Sequence, residues 1–158
     1  MVWDGSREEG FLLKARAMAR EAGHIWPEYA ACEAALESSW GRSELAVRAN
    51  NLFGQKQSHI PLPGSGTLAL PTREFLHGAW TSVVAKWASF PDWAACFKAR
   101  MELLHRMAKE YPGYGRALIA TAGDEYVREV SAVWSTDPKR AEQVLQIHKQ
   151  HQSQLLAA

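Results

Sequence analysis

The chain has 158 residues, 47% of them hydrophobic and 22% charged, proportions that fit one globular domain with one core and exclude a disordered chain. The net charge is +1, and no basic block or Lys/Arg stripe stands out. A dedicated nucleic-acid binder is thereby excluded, and attraction to any anionic surface would be local rather than global.

Residues 1–6 lack a basic segment followed by an apolar run, and no apolar stretch approaches transmembrane length. Neither a signal peptide nor a membrane span is expected, and export would need another route. Ser6 and Glu9 form a Ser-x-x-Glu capping box. Phe11, Ala15, Met18, Ala19 and Ala22 follow at helical spacing until Gly23. Pro27 suits the first turn of a second helix reaching about residue 39, rich in Ala at 30, 31, 34 and 35, where a neighbouring helix can approach closely. Gly41 interrupts it, and 43–49 reads as a short third helix ending at Asn50 and Asn51.

From Leu52 to Phe90 the character changes. Pro61, Pro63, Gly64, Gly66 and Pro71 rule out a long helix. Residues 72–76 and 80–87 are β-prone and flank His77-Gly78, a hairpin signature with His77 as a solvated turn residue. Beyond Pro91, Trp93, Phe97, Met101, Leu104 and Ala108 make the cleanest apolar stripe of the chain. Tyr111-Pro112-Gly113 breaks it. Short helices are expected near 115–122 and 124–134, then a last one from Pro138 towards Leu156, with Thr136-Asp137-Pro138 as a cap followed by Pro at the first helical position. The fold is thus mostly α with a β-prone insertion in the middle.

Several residues bear on chemistry. Seven tryptophans hint at carbohydrate, because indole stacks on the weakly polar face of a sugar, though a Trp-rich core explains the composition equally well. Cys32 and Cys96 both fall in helical stretches, and two buried thiols are expected rather than a bridge. No His pair sits with a carboxylate at metal-ligand spacing, and no phosphate loop or nucleophile elbow is present, so no metal and no cofactor are expected. Glu37 ends an Ala-rich helix and is followed at once by Trp40 and Gly41. An apolar, aromatic setting would favour the protonated carboxyl that a glycosidase acid requires, whereas an exposed helix-end Glu is the plain alternative.

The segment Glu37-Ser38-Ser39-Trp40-Gly41-Arg42-Ser43, continued by Asn50-Asn51-Leu52-Phe53-Gly54-Gln55-Lys56, resembles the family 73 glycoside hydrolases. Their typical blocks are Glu-Ser-x-Trp-Gly-x-Ser and Asn-Asn-Leu-Phe-Gly-x-Lys. The resemblance implies a lysozyme-like α+β fold, with a helical lobe and a small β-hairpin lobe flanking a cleft. It implies a single catalytic domain over 1–158, with a β-lobe insertion at about 55–90. The implied activity is an endo-β-N-acetylglucosaminidase that cuts peptidoglycan after N-acetylglucosamine and acts as a monomer on the cell wall, phage-released, periplasmic or extracellular.

By the same resemblance, the general acid maps onto Glu37. The second carboxylate, in a Thr-x-Glu setting, maps onto Glu74 of Thr72-Arg73-Glu74, as base or charge stabiliser; a surface Glu paired with Arg73 is the alternative. Trp40, Asn51, Phe53, Gly54 and Trp134 are the expected substrate contacts, with Phe53 as readily a core residue and Asn50-Asn51 a mere helix end. The chain departs from the family pattern twice. Many members carry Tyr-Ala-Thr-Asp-Pro, whereas Trp134-Ser135-Thr136-Asp137-Pro138 stands here, and indole only donates hydrogen bonds. Gln55 replaces the usual aliphatic residue before Lys56. A muramidase or lytic transglycosylase would favour a Gly-Leu-x-Gln segment over Asn51-Leu52-Phe53-Gly54. A non-catalytic wall-binding module would not require both Glu37 and Glu74.

Overall fold

The computed structural model describes residues 6–157, the side chains of Ser6, Leu156 and Ala157 excepted. The expected Ser6 capping bond therefore lies outside the described residues. Helix α1 (Ser6–Glu21) ends before Gly23, whose φ of +81° reverses the chain. Helix α2 (Pro27–Glu37) starts on its proline and lays Ala30, Ala31, Ala34 and Ala35, all fully buried, against its neighbours. Leu12, Ala15 and Ala19 of α1 supply the opposing small surface, so the two backbones pack closely. Helix α3 (Glu44–Ala49) is capped by the Ser43 side chain, whose Oγ accepts from Ala46 N at 3.1 Å.

The β-lobe is one antiparallel hairpin, β1 (Gly66–Leu76) and β2 (Ala79–Ser89). It is longer than the β-prone pieces of the sequence. The reason is that Pro71 lies inside β1 rather than before it; in a two-stranded sheet both strands are edges, where proline is tolerated. His77 (φ +51°) and Gly78 (φ +81°) form the turn, both left-handed as a type I′ hairpin demands. The base of the hairpin is tied to the body. Ala88 N donates to Gln55 O (3.1 Å), Gln57 N to Lys86 O (2.9 Å) and Phe90 N to Ala49 O (2.8 Å).

Helix α4 (Trp93–Met107), capped by Asp92, carries the predicted stripe into the core, with Phe97 and Leu104 fully buried. Burial of each such side chain stabilises the fold by roughly 1.5–3 kcal/mol. Helix α5 (Pro112–Leu118) begins three residues earlier than the spacing suggests, because Pro112 both stops α4 and occupies the first turn of α5. Helix α6 (Gly123–Trp134) follows. The last predicted helix is split and starts later, at α7 (Arg140–Gln150) and α8 (Gln152–Ala157). Asp137 Oδ1 accepts from Lys139 N (2.9 Å) and its carbonyl from Arg140 N (3.3 Å), a turn that takes up Pro138 and Lys139, so the helix opens at Arg140 rather than at Pro138. The break at His151 sets the ring on Trp40, 5.5 Å between centroids, and near Glu8, 3.6 Å away. Arg16 donates to Leu155 O and holds α8 down. One hydrophobic cluster runs through all of this, from Phe11 to Leu155.

Candidate active site

Glu37 is the last residue of α2, and the chain after it folds tightly enough to fix it. Ser38, 1% exposed, donates from Oγ to Ala34 O (2.6 Å) and accepts from Gly41 N (2.9 Å). Ser39 (φ +51°), Trp40 (φ +59°) and Gly41 (φ +79°) are all left-handed. Two successive non-glycine residues there cost on the order of 1–2 kcal/mol each. The bond from Trp40 N to Ala35 O (2.8 Å) and the Ser38 bonds hold the turn against that strain. A Cβ on Gly41 would come within 3.2 Å of the Phe11 ring, so only glycine fits that approach.

A groove of about 250 Å³ opens between this helix end and the hairpin. Glu37, Asn51 and Gly54 line one side, Leu70, Thr72 and Trp87 the other. Gly54 stands at φ +66° with open space where a side chain would be. Asn51 is 1% exposed. Both its Nδ2 hydrogens go to backbone, Gln55 O and Ala88 O at 2.8 Å each, and its Oδ1 accepts from Gln55 N (3.1 Å). It pins the hairpin base beside the groove and keeps no donor for a ligand.

Glu74 lies on the body-facing side of the hairpin. Leu70, Thr72 and Glu74 alternate with the more exposed Pro71, Arg73 and Phe75, and sit opposite Ala85, Val83 and Thr81. It is two residues beyond Thr72, towards the tip, so roughly 7 Å further along the strand than the groove lining. Its carboxylate, 40% exposed, meets Lys56 Nζ at 3.4 Å; Arg73 instead lies over Trp80, 5.9 Å from the ring.

The setting of Glu37 differs from the apolar one expected. Its side chain is 25% exposed, and Oε1 accepts from Arg140 Nε at 2.7 Å. Arg140, 2% exposed, also donates to Glu33 Oε2 (2.9 Å) and Ser131 Oγ (2.8 Å). Glu33 stands one turn before Glu37 on the same face of α2 and is fully buried. It further accepts from Arg100 (2.7 Å) and from Tyr126 Oη (2.8 Å). Burial opposes the charge on Glu33. The Arg100 and Arg140 guanidinium groups and the hydrogen bonds from Arg100 and Tyr126 outweigh it and bring the carboxyl down to about 2. Burial, reinforced by Glu33, pushes the Tyr126 phenol up, so it stays a donor.

The other predicted contacts lie elsewhere. Trp40 is not among the groove-lining residues. It faces a separate pocket of about 430 Å³ on the far side of the 38–43 turn, with Phe11, Lys14, Arg42 and Trp93. Phe53, 1% exposed, is core and packs edge-on against Phe97 at 5.3 Å. Phe53 and Trp134 meet edge-on, 6.3 Å between centroids, and the buried Arg100 guanidinium sits in the corner they form, 4.2 and 4.1 Å from the two ring centroids. The indole at the Tyr position thus covers a buried cation. Sequence reasoning passed over Glu33, Arg100, Tyr126 and Arg140. The available signal was a charge inside each of two apolar stripes: Glu33 among alanines, and Arg100 between Phe97 and Leu104. Among the described residues no cluster of His, Cys, Asp and Glu could hold a metal ion, and no helix is long and apolar enough to cross a membrane.

Residues 13–153 match the glucosaminidase family, described as mannosyl-glycoprotein endo-β-N-acetylglucosaminidase. A stretch of 39 residues is 51% identical to the exo-glucosaminidase LytG of Bacillus subtilis, covering 25% of this chain and 14% of LytG. The catalytic domain of the autolysin Auto from Listeria monocytogenes superposes with a TM-score of 0.78 at 21% identity, over 98% of this chain and 90% of that one. A glycoside hydrolase domain of FlgJ from Salmonella typhimurium gives 0.70 at 24% identity, over 92% and 98%. At these identities the structural likenesses show a shared fold.

Proposed function

We propose, for a chain that belongs to the glucosaminidase family of glycoside hydrolases, that it cuts the glycan strand of peptidoglycan after N-acetylglucosamine, with Glu37 as general acid. The observation that carries the reading is a carboxylate at the head of an interlobe groove, held by a buried arginine. Glu44 also lines that groove, but it is 65% exposed and paired with Arg48 at 2.8 Å, without a tie to the core. Acid catalysis requires a proton on Glu37 to pass to the glycosidic oxygen as its bond to the anomeric carbon breaks. Among the described residues Oε2 of Glu37 has no hydrogen-bond partner, whereas Oε1 is engaged by Arg140, so Oε2 is the atom to carry that proton.

Glu74 is the second carboxylate of this reading. It either activates water for inversion or supports charge while the sugar's 2-acetamido oxygen attacks. Its position beyond the groove lining means that the hairpin has to bend over a bound strand. The hairpin suits a flap: apart from Leu70 and Ala88 its residues are exposed or half-exposed, and few apolar contacts anchor it. Trp87 and the open backbone at Gly54 offer a stacking face and a close approach for sugar rings. The enzyme then acts on the periplasmic or extracellular side, where the wall is, and internal cuts leave fragments of many lengths.

Clearing of a purified cell-wall suspension tests this. Wild type should lower the turbidity, and Glu37→Gln should fold and bind walls while clearing almost nothing. Binding without clearing by wild type would favour the non-catalytic module instead.

A further inference from the structure

We infer that Arg140 is a positioning residue for the reaction. It turns Oε2 of Glu37 towards the groove and meets the negative charge that Glu37 acquires on giving up its proton, while Glu33 holds Arg140 in place. This rests on Glu37 as the acid.

The Arg140 guanidinium is fully engaged. Its three nitrogens are each tied to a different side chain: Nε to Glu37, one terminal nitrogen to Ser131 and the other to Glu33, all within 2.7–2.9 Å. Those partners come from α2 and α6, and Arg140 itself opens α7, so three helices fix one planar group. A planar fork anchored at three points leaves the carboxylate it touches little freedom. Two carboxylates one turn apart on a helix would otherwise repel, and Arg140 bridges them.

Charge counting gives the second half. Glu33 and Glu37 face Arg100 and Arg140, two charges of each sign, with the Tyr126 hydroxyl as the remaining polar group on Glu33. When Glu37 carries a proton, the cluster has one positive charge in excess. Transfer of that proton from Glu37 Oε2 to the glycosidic oxygen restores balance. An oriented cation, itself 2% exposed, therefore stabilises the product side of the proton transfer without rearranging during the step. Glu33 keeps this from becoming a loose surface pair. Fully buried between two arginines, it supplies the countercharge that lets Arg140 sit 2% exposed.

Steady-state kinetics on soluble glycan strands, with thermal unfolding of each variant, test the inference. Arg140→Met leaves Glu33 paired with Arg100 and Tyr126, so no buried charge is orphaned and the fold should hold. Its kcat should fall tenfold to a hundredfold, the range roughly expected for a misplaced catalytic group, with KM within about twofold of wild type. Arg140→Lys retains a positive charge but cannot engage three partners; it should recover part of the loss and still lie severalfold below wild type at a similar Tm. Should Arg140→Met fail to fold, the Lys variant decides alone. Wild-type kcat in whichever variant folds, or a raised KM with unchanged kcat, overturns the role of Arg140. A dead Glu37→Gln beside a fully active Arg140→Met would sink this inference only. An active Glu37→Gln would sink the acid assignment beneath it.

Discussion

Gln55 is 5% exposed, and among the described residues neither its Nε2 nor its Oε1 finds a hydrogen-bond partner. An unmade hydrogen bond at a buried amide costs about 1–3 kcal/mol. Gln55→Leu, which restores the aliphatic residue usual before Lys56, should therefore raise stability by about 1 kcal/mol or more in urea unfolding; a loss would mean that the amide is satisfied by bound water. His24 sets the acid side of the stability curve. Burial, then the nearby Arg100 charge, lowers its ring to about 4, and Nε2 lies 3.2 Å from Phe97 O. A folded-state value below the ordinary 6.5 means that the neutral ring is what the fold accepts. Its contribution is complete above pH 6.5 and is lost as pH falls through about 4, at up to roughly 1.4 kcal/mol per pH unit. Glu33 follows lower down, its contribution present above 4.5 and lost towards about 2. Urea midpoints at pH 7 and pH 5 should fall for wild type and much less for His24→Gln; equal falls would contradict the assignment. At this scale the motif pointed to Glu37 and Gly54, and both line the groove. The sequence hid the ion cluster, because Glu33 meets partners 67 and 107 residues away, and only the fold, which packs α7 on α2 and brings the Arg100 side chain of α4 within reach, assembles them.

Among the elements, the hairpin and α6 carry the sharpest expectations. Gly123 opens α6, and a Cβ there would come 2.0 Å from the Tyr29 ring, far inside contact distance. Gly123→Ala should destabilise the protein by about 1–3 kcal/mol, as overpacking does, although alanine alone favours helix; an unchanged Tm would mean that Tyr29 moves aside freely. Glu74→Gln should lower turnover strongly but less than Glu37→Gln, since the acetamido group or bulk water can stand in for a base and nothing replaces the acid. Full activity in Glu74→Gln together with loss in Glu44→Gln would move the second role to Glu44, which already lines the groove. The element pattern was largely legible: Pro27, Ser43, His77-Gly78 and the Trp93–Leu104 stripe mark real starts, turns and faces. The starts of α5 and α7 were not, because Pro112 and Asp137 each serve two roles.

At the scale of the molecule, Cys32 and Cys96 are free and buried. Burial pushes the Cys32 thiol up, and the Cys96 thiol up to about 12, so thiolate is scarce. A thiol-specific reagent should titrate neither in the native protein and both in denaturant; rapid native reaction would mean that the core opens readily. A helical body with a β-prone insertion was legible because the Pro- and Gly-rich middle segment contrasts with helical periodicity on both sides; the two lobes about a cleft were implied by the family resemblance. The place of Trp40 was not legible, because proximity along the chain to Glu37 does not survive three left-handed residues, which turn the indole to the other side of the loop.

The central claim is a bond cleaved at one sugar by one acid, and mass spectrometry of the ends left on digested peptidoglycan reads both. Wild type should leave N-acetylglucosamine at the new reducing ends, and Glu37→Gln should leave none above background. Reducing-end N-acetylmuramic acid, its anhydro form, or equal yields from the two proteins would contradict the account.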